Sequence, residues 1–130
     1  MTRRALHRVL VVEDDPDIQV VASLALSDVG GLVVEVCGCA REAREAARSF
    51  RPDLILLDVM MPDMDGIAVL EGLREDEGLA ATPVVFMTAR AQSHEIARYR
   101  ALGSLGVVAK PFDPETLAET LRGLWEGRDS

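Results

Sequence analysis

Lysine is almost absent from this 130-residue chain: Lys110 is the only one, beside thirteen arginines. Cysteine is scarce as well, with Cys37 and Cys39 alone. Two thiols are too few for a disulfide framework or a structural zinc site. The Cys37-Gly38-Cys39 pair reads as two small thiols at a strand end rather than as a redox or metal element. No apolar stretch approaches the roughly eighteen residues that a membrane helix needs. The opening Met1-Thr2-Arg3-Arg4 is basic, as in a signal peptide, but the apolar run from Val9 ends at Glu13, too soon for a signal core. Positive charge is also in deficit, with 14 basic against 22 acidic residues and a net charge of −8. That argues against nucleic acid as a direct partner, because phosphate backbones are bound through a basic footprint. A cytoplasmic protein with no membrane association is expected.

The length suits one domain with one core. Apolar residues at 48% and charged residues at 28% are the balance of a globular chain, not a disordered one. No linker, low-complexity segment or internal repeat interrupts it. The chain ends directly after the last helical pattern, so a single domain over 1–130, with a core of about 7–126 and no output domain, is expected.

Five short apolar runs alternate with longer amphipathic stretches. The runs are Val9-Leu10-Val11-Val12, Leu32-Val33-Val34-Glu35-Val36, Leu54-Ile55-Leu56-Leu57, Val84-Val85-Phe86-Met87 and Val107-Val108-Ala109. Four lack polar alternation, the mark of strands covered on both faces. Between them, Asp15-Pro16 opens a helix with a cap residue and a proline at the first position, and Gly30-Gly31 stops it. Further helices are expected over about 41–50, 67–74 and 93–102. A last one opens at Asp113-Pro114-Glu115, with Leu117, Leu121 and Leu124 on one face. Five strands alternating with five helices predict an α/β fold, a parallel sheet with helices on both faces.

In such sheets ligands bind beyond the carboxyl ends of the strands. The residues following the runs are Glu13, Asp14 and Asp15, then Asp58, Thr88 and Lys110. Acids, a hydroxyl and an ammonium thus share one sheet edge. The second run ends at Cys37 with nothing polar, which suits a peripheral strand. Asp15 is accounted for as a helix cap. Asp58 closes an apolar run and should be partly enclosed. Glu13, Asp14 and Asp58 in proximity must protonate or be neutralised, and a hard divalent cation such as Mg²⁺ (or Mn²⁺) does this with one or two carboxylates, a carbonyl and waters. A chain so partial to arginine keeps a compact ammonium at Lys110, a point charge suited to phosphate or carboxylate. A carboxylate, a divalent metal, a lysine and a hydroxyl are what transient aspartyl phosphorylation requires.

Four motifs in this order resemble the receiver domain of two-component response regulators over the whole chain, in particular its stand-alone, chemotaxis-regulator form. They are Val11-Val12-Glu13-Asp14-Asp15, Leu57-Asp58-Val59-Met60-Met61-Pro62-Asp63-Met64-Asp65-Gly66, Met87-Thr88-Ala89-Arg90 and Lys110-Pro111-Phe112. The resemblance implies a single flavodoxin-like, doubly wound five-stranded sheet of order 2-1-3-4-5 with five helices on both faces. It implies Asp58 as phosphoacceptor, Asp14 and Asp58 as Mg²⁺ ligands, the Met60 backbone carbonyl as a further ligand and Glu13 acting through water. Thr88 corresponds to the switch hydroxyl, Lys110 to the phosphate-contacting lysine, and Lys110-Pro111 to a cis peptide bond. Met60 and Arg90 occupy positions whose side chains set how fast water removes the phosphoryl group, and neither a Met nor an Arg there resembles the Asn and Glu of fast receivers.

The resemblance also implies a histidine kinase or histidine phosphotransfer protein as donor, a downstream protein target or phosphorelay, and a phosphorylation-dependent dimer as one outcome. The first helix would dock the donor. On it Ile18, Val21, Ala22, Ala25 and Val29 are expected inside, and Val20 and Leu24 outside as a docking patch. One position departs from the family: Val107 stands three residues before Lys110, where a Tyr or Phe is usual. Tyr99, on the fourth helix, is the candidate substitute, set against a simple packing role. The chain is expected to be no metabolic enzyme; it would catalyse only its own phosphorylation and dephosphorylation.

Three other readings were weighed. An aspartyl phosphohydrolase, suggested by Asp63-Met64-Asp65, needs its paired acids directly after a strand, and these follow a proline loop. A calcium loop centred on Gly66 would place Met61 and Gly72 where acidic ligands are required. A degenerate receiver, binding partners without phosphorylation, would usually have lost an acid or the lysine.

Overall fold

The computed structural model describes residues 4–63 and 65–128. Its strands are β1 (Arg8–Val12), β2 (Val33–Cys37), β3 (Leu54–Asp58), β4 (Val84–Thr88) and β5 (Gly106–Ala109). All pair in parallel, in the order β2-β1-β3-β4-β5. The helices are α1 (Pro16–Leu24, continued by a π turn, Ala25–Val29), α2 (Ala43–Phe50, entered through a 3₁₀ turn, Ala40–Glu42), α3 (Gly66–Glu75), α4 (Ser93–Ala101) and α5 (Leu117–Gly127). The expected α/β fold and strand order are the observed ones.

The side-chain period of two divides each run between two cores. Leu10, Val12, Ile55, Leu57, Val84 and Phe86 face α2, α3 and α4, whose Ala43, Ala47, Val69, Leu70, Leu73 and Tyr99 complete that layer. Val9, Val11, Leu54, Leu56, Val85 and Met87 face α1 and α5, meeting Ala22, Leu26, Leu117, Leu121 and Trp125. Each fully buried Leu or Phe is worth about 1.5–3 kcal/mol over its exposed state, so both layers stabilise strongly. β3 and β4 are buried at every residue, as central strands covered on both faces must be. β2, at the edge, alternates in burial and contributes the exposed Val33.

Asp15 caps α1 through the Asp17 and Ile18 amides, with Pro16 at the first position. Beyond α1 the expected burial pattern is corrected. Val21 and Val29 were expected inside but are 40% and 61% exposed, while Leu26 is fully buried. Val21 lies in the regular turns of α1, beside the inner row that runs from Ala22 to Leu26, and the wider winding of the π turn then rotates Val29 outward. Gly31, at φ 72°, then ends the element as expected. The start of α5 also differs. Asp113-Pro114 forms a preceding turn, in which Asp113 accepts bonds from the Glu115, Thr116 and Leu117 amides, and the helix begins at Leu117.

Candidate functional site

The carboxyl edge of the sheet gathers the polar residues that follow the runs. Hydrogen bonds between neighbouring strand ends hold it: Glu13 N–H to the Cys37 carbonyl, Val59 N–H to Met87 and Lys110 N–H to Thr88. These continue the ladders of β1, β3 and β5 by one residue and place Glu13, Asp58 and Lys110 around one point. The Lys110 Nζ is 2.7 Å from Glu13 Oε1 and 2.9 Å from Asp58 Oδ2. Glu13 and Asp58 are buried, at 1% and 4% exposure, whereas Asp14 is exposed. Each of the three acids offers an oxygen within 4.8 Å of the others.

Burial raises the Glu13 pKa to about 6, against the lowering effect of the Lys110 and Asp15 hydrogen bonds; the nearby Asp58 charge adds to the rise. Burial alone would lower the Lys110 pKa, but its bonds to Glu13 and Asp58 outweigh that, and the net shift is upward. Lys110 is therefore a firm cation between two acids. Three carboxylates against one ammonium still leave negative charge in excess. A divalent cation fits the excess charge and the three convergent carboxylate oxygens.

The remaining expected residues surround this centre. The Met60 N–H donates to Asp58 Oδ1 at 3.0 Å, while the Met60 side chain is 75% exposed. Thr88 is buried, and its Oγ1 accepts the Arg90 N–H at 3.0 Å. Arg90 is exposed beside it. Lys110-Pro111 is cis, as the resemblance implied. Gly66 lies so close beneath the loop that a Cβ would stand 2.8 Å from the Asp58 carbonyl oxygen and from the Val59 Cα, a contact only glycine permits. Val20 and Leu24 are 58% and 50% exposed, while Ile18 and Val21 of the same helix line an apolar cleft of about 400 Å³ against Ala89, Pro111 and Phe112.

Two residues acquire roles that sequence reasoning missed. Asp63, read as part of a possible acid pair, turns away from the centre. It accepts from the Ala40 and Arg41 amides and the Cys39 thiol, tying the loop after β2 to the loop after β3. Asp53, unremarked in the sequence, is buried; it accepts the His7 and Arg8 amides and pairs with Arg4 at 2.7 Å. No local pattern marks either, since their partners are 22 to 49 residues away. Asp65 caps α3 through the Ile67 amide, and Met64 lies outside the described residues. Both cysteines are free thiols. Two wider clefts, about 580 Å³ each, lie at the opposite sheet edge, where Arg4 is engaged with Asp53, Arg48 with Asp76 and Arg74 with the Thr82 carbonyl. The chemistry belongs to the carboxyl edge.

Known proteins resemble this chain over most of its length. The chain is 34% identical to the Vibrio cholerae chemotaxis protein CheY4, with a TM-score of 0.83 over 92% of this chain and 99% of that one. A response regulator from Desulfuromonas acetoxidans superposes with a TM-score of 0.81 at 26% identity, over 92% of this chain and 97% of that one. Among curated sequences, the response regulator Rre1 of Synechocystis is 35% identical over 88% of this chain, and the DNA-binding response regulator MtrA of Mycolicibacterium smegmatis is 37% identical over 89%. The chain spans about half the length of those two relatives. No helix among the described residues is long and apolar enough to cross a membrane. The family model of the response regulator receiver domain matches residues 9–122, and the chain belongs to that family of signalling phosphoacceptor domains.

Proposed function

We propose that this chain is a single-domain response regulator that accepts a phosphoryl group on Asp58 from a histidine kinase or a histidine phosphotransfer protein. The observation that carries this is the contact of one partly buried ammonium, Lys110, with two buried carboxylates, Glu13 and Asp58, beside an exposed third, Asp14. An Asp58 oxygen attacks phosphorus, the bond from phosphorus to the donor imidazole nitrogen breaks, and an acyl phosphate forms. Lys110 stays cationic throughout and offsets charge on the phosphoryl oxygens. The Met60 N–H orients the Asp58 carboxylate from the other side. The Thr88 hydroxyl turns from the Arg90 amide to donate to a phosphoryl oxygen. Asp14, Asp58 and the Met60 carbonyl would hold Mg²⁺ (or Mn²⁺), with Glu13 acting through water. The ion supplies charge neutralisation and alignment of the phosphoryl oxygens.

The donor's helices dock on Val20 and Leu24, which stand exposed on α1, the helix whose Ile18 and Val21 line the apolar cleft next to Lys110. The phosphorylated form acts on a protein partner, passes the group on in a phosphorelay, or dimerises. The net charge of −8 supports protein rather than nucleic acid as the direct partner, in a cytoplasmic setting. All five polar residues, Glu13, Asp14, Asp58, Thr88 and Lys110, are present, which weighs against a phosphorylation-independent binding module.

The test is intact mass after incubation with Mg²⁺ and a small acyl-phosphate donor. One added phosphoryl group is expected in the parent and none in Asp58→Asn. A parent that stays unmodified with both the small donor and a phosphorylated histidine protein overturns the reading.

A further inference from the structure

The Cys37-Gly38-Cys39 segment takes no part in the chemistry at the carboxyl edge, yet it borders the acid cluster. Glu13 stands one residue past β1, and its N–H donates to the Cys37 carbonyl at 3.0 Å. In a parallel ladder the carbonyl of such a residue faces the same neighbouring strand, where the N–H two residues further on would meet it. That N–H belongs to Cys39, but among the described residues no backbone N–H reaches the Glu13 carbonyl. A side chain takes its place: Gln19, half-buried on α1, donates from Nε2 to the Glu13 carbonyl oxygen at 2.6 Å. Gly38 leaves room for this amide. A Cβ there would stand 3.1 Å from Gln19 Nε2 and 3.9 Å from the Glu13 carbonyl oxygen. Gly31 and Gly103 are the glycines with positive φ among the described residues, so no left-handed turn demands glycine at 38.

The Glu13 carbonyl and the Asp14 N–H are the two ends of one planar peptide. Fixing the first therefore fixes the second. The Glu13 side chain has its own restraints, Lys110 on Oε1 at 2.7 Å and the Asp15 N–H on Oε2 at 3.1 Å. Asp14 has none: it is exposed, and its carboxylate has no hydrogen bond or ion pair among the described residues. The direction of that carboxylate is thus set through its backbone. On one side the backbone is anchored by Asp15, which caps α1, and on the other by the Gln19 amide. Without that amide, the peptide between the two acids would be free to rotate, and Asp14 with it.

We infer that Gln19 is a positioning residue for the divalent cation, holding the Glu13–Asp14 peptide so that the Asp14 carboxylate converges with Asp58, and that Gly38 is the small residue this bond requires. This rests on the metal-dependent Asp58 reading above. The test is Mn²⁺ titration of the metal-free full chain, with free Mn²⁺ followed by electron paramagnetic resonance and no phosphoryl donor present. Gln19→Met keeps the length of the side chain and removes the donor, and it is expected to weaken Mn²⁺ binding roughly tenfold. Gly38→Ala, which presses on the amide from the other side, is expected to weaken it in the same direction. The double variant is expected to bind no more weakly than Gln19→Met alone, because both changes act through one hydrogen bond. Urea unfolding in metal-free buffer shows which variants are folded. Parent-like affinity in folded Gln19→Met overturns the inference, and so do additive losses in the double variant, which mark two separate packing defects. If Gln19→Met does not fold, Gly38→Ala decides: parent-like affinity there overturns the inference. Absence of Mn²⁺ binding by the parent overturns the metal-dependent reading and this inference together.

Discussion

Lys110 is the residue on which the site balances. It is partly buried between Glu13 and Asp58 and is the only ammonium among thirteen guanidiniums. Arginine could not replace it, since a planar fork would not fit two acids converging on one point. Lys110→Met leaves two buried carboxylates without their cation. A loss of roughly 1–3 kcal/mol is expected in metal-free buffer, with phosphorylation abolished; urea unfolding with and without Mg²⁺ measures the first, and intact mass the second. At the rim, Met60 is exposed and Arg90 adjoins Thr88. Neither offers an amide or an acid that could orient an attacking water. Met60→Asn with Arg90→Glu is expected to shorten the lifetime of the acyl phosphate about tenfold, equivalent to about 1.4 kcal/mol in the barrier. Unchanged decay in the double variant would show that these two side chains do not control access.

Helix α1 leads away from the acceptor edge and bears the proposed docking patch. Its inner face is set by Ala22, Ala25 and Leu26, and Val21 and Val29 are exposed along with Val20 and Leu24. Four exposed apolar residues on one element, beside an apolar cleft, favour a helical partner over solvent. Val20→Asp with Leu24→Asp is expected to slow phosphoryl transfer from a phosphorylated histidine protein at least tenfold while leaving phosphorylation by a small acyl phosphate unchanged. Stopped-flow or autoradiographic transfer assays separate the two donors. Equal slowing with both would place the defect in the site rather than in docking. The opening of this helix was legible because Asp15-Pro16 is a local signal. Its far end was not, because no local signal in Ala25–Val29 marks the change from α to π winding.

Across the whole molecule, long-range acid contacts tie loops that the chain keeps far apart. Asp63 accepts the Cys39 thiol and the Arg41 and Ala40 amides, bonds that hold its carboxyl below the usual aspartate range. The hydrogen bond from Arg48, helped by the Gly78 amide and the Arg48 charge, does the same for Asp76. A depressed folded pKa adds stability that is fully present above the unfolded value of about 3.8 and is lost as pH falls through the folded value. Asp63→Asn and Asp76→Asn are thus expected to lower stability near neutrality and to flatten its fall below about pH 4. Thermal unfolding across pH 2.5–7 tests this; parallel curves for parent and variants would show that these carboxyls do not govern the acid limb.

The amino-acid sequence by itself determined the α/β class, the five strands, most helix starts and the set Glu13, Asp14, Asp58, Thr88 and Lys110. These are local facts: apolar runs of strand length, caps, and the residue that follows each run. Only the tertiary structure decided that Lys110 meets both Glu13 and Asp58, that Asp63 and Asp53 serve as staples, and that Tyr99 takes the place beside Phe86. Those contacts join residues 13 to 97 positions apart. A chain pattern can name such groups but cannot bring them together; parallel pairing, which places every strand's carboxyl end at one edge, does that.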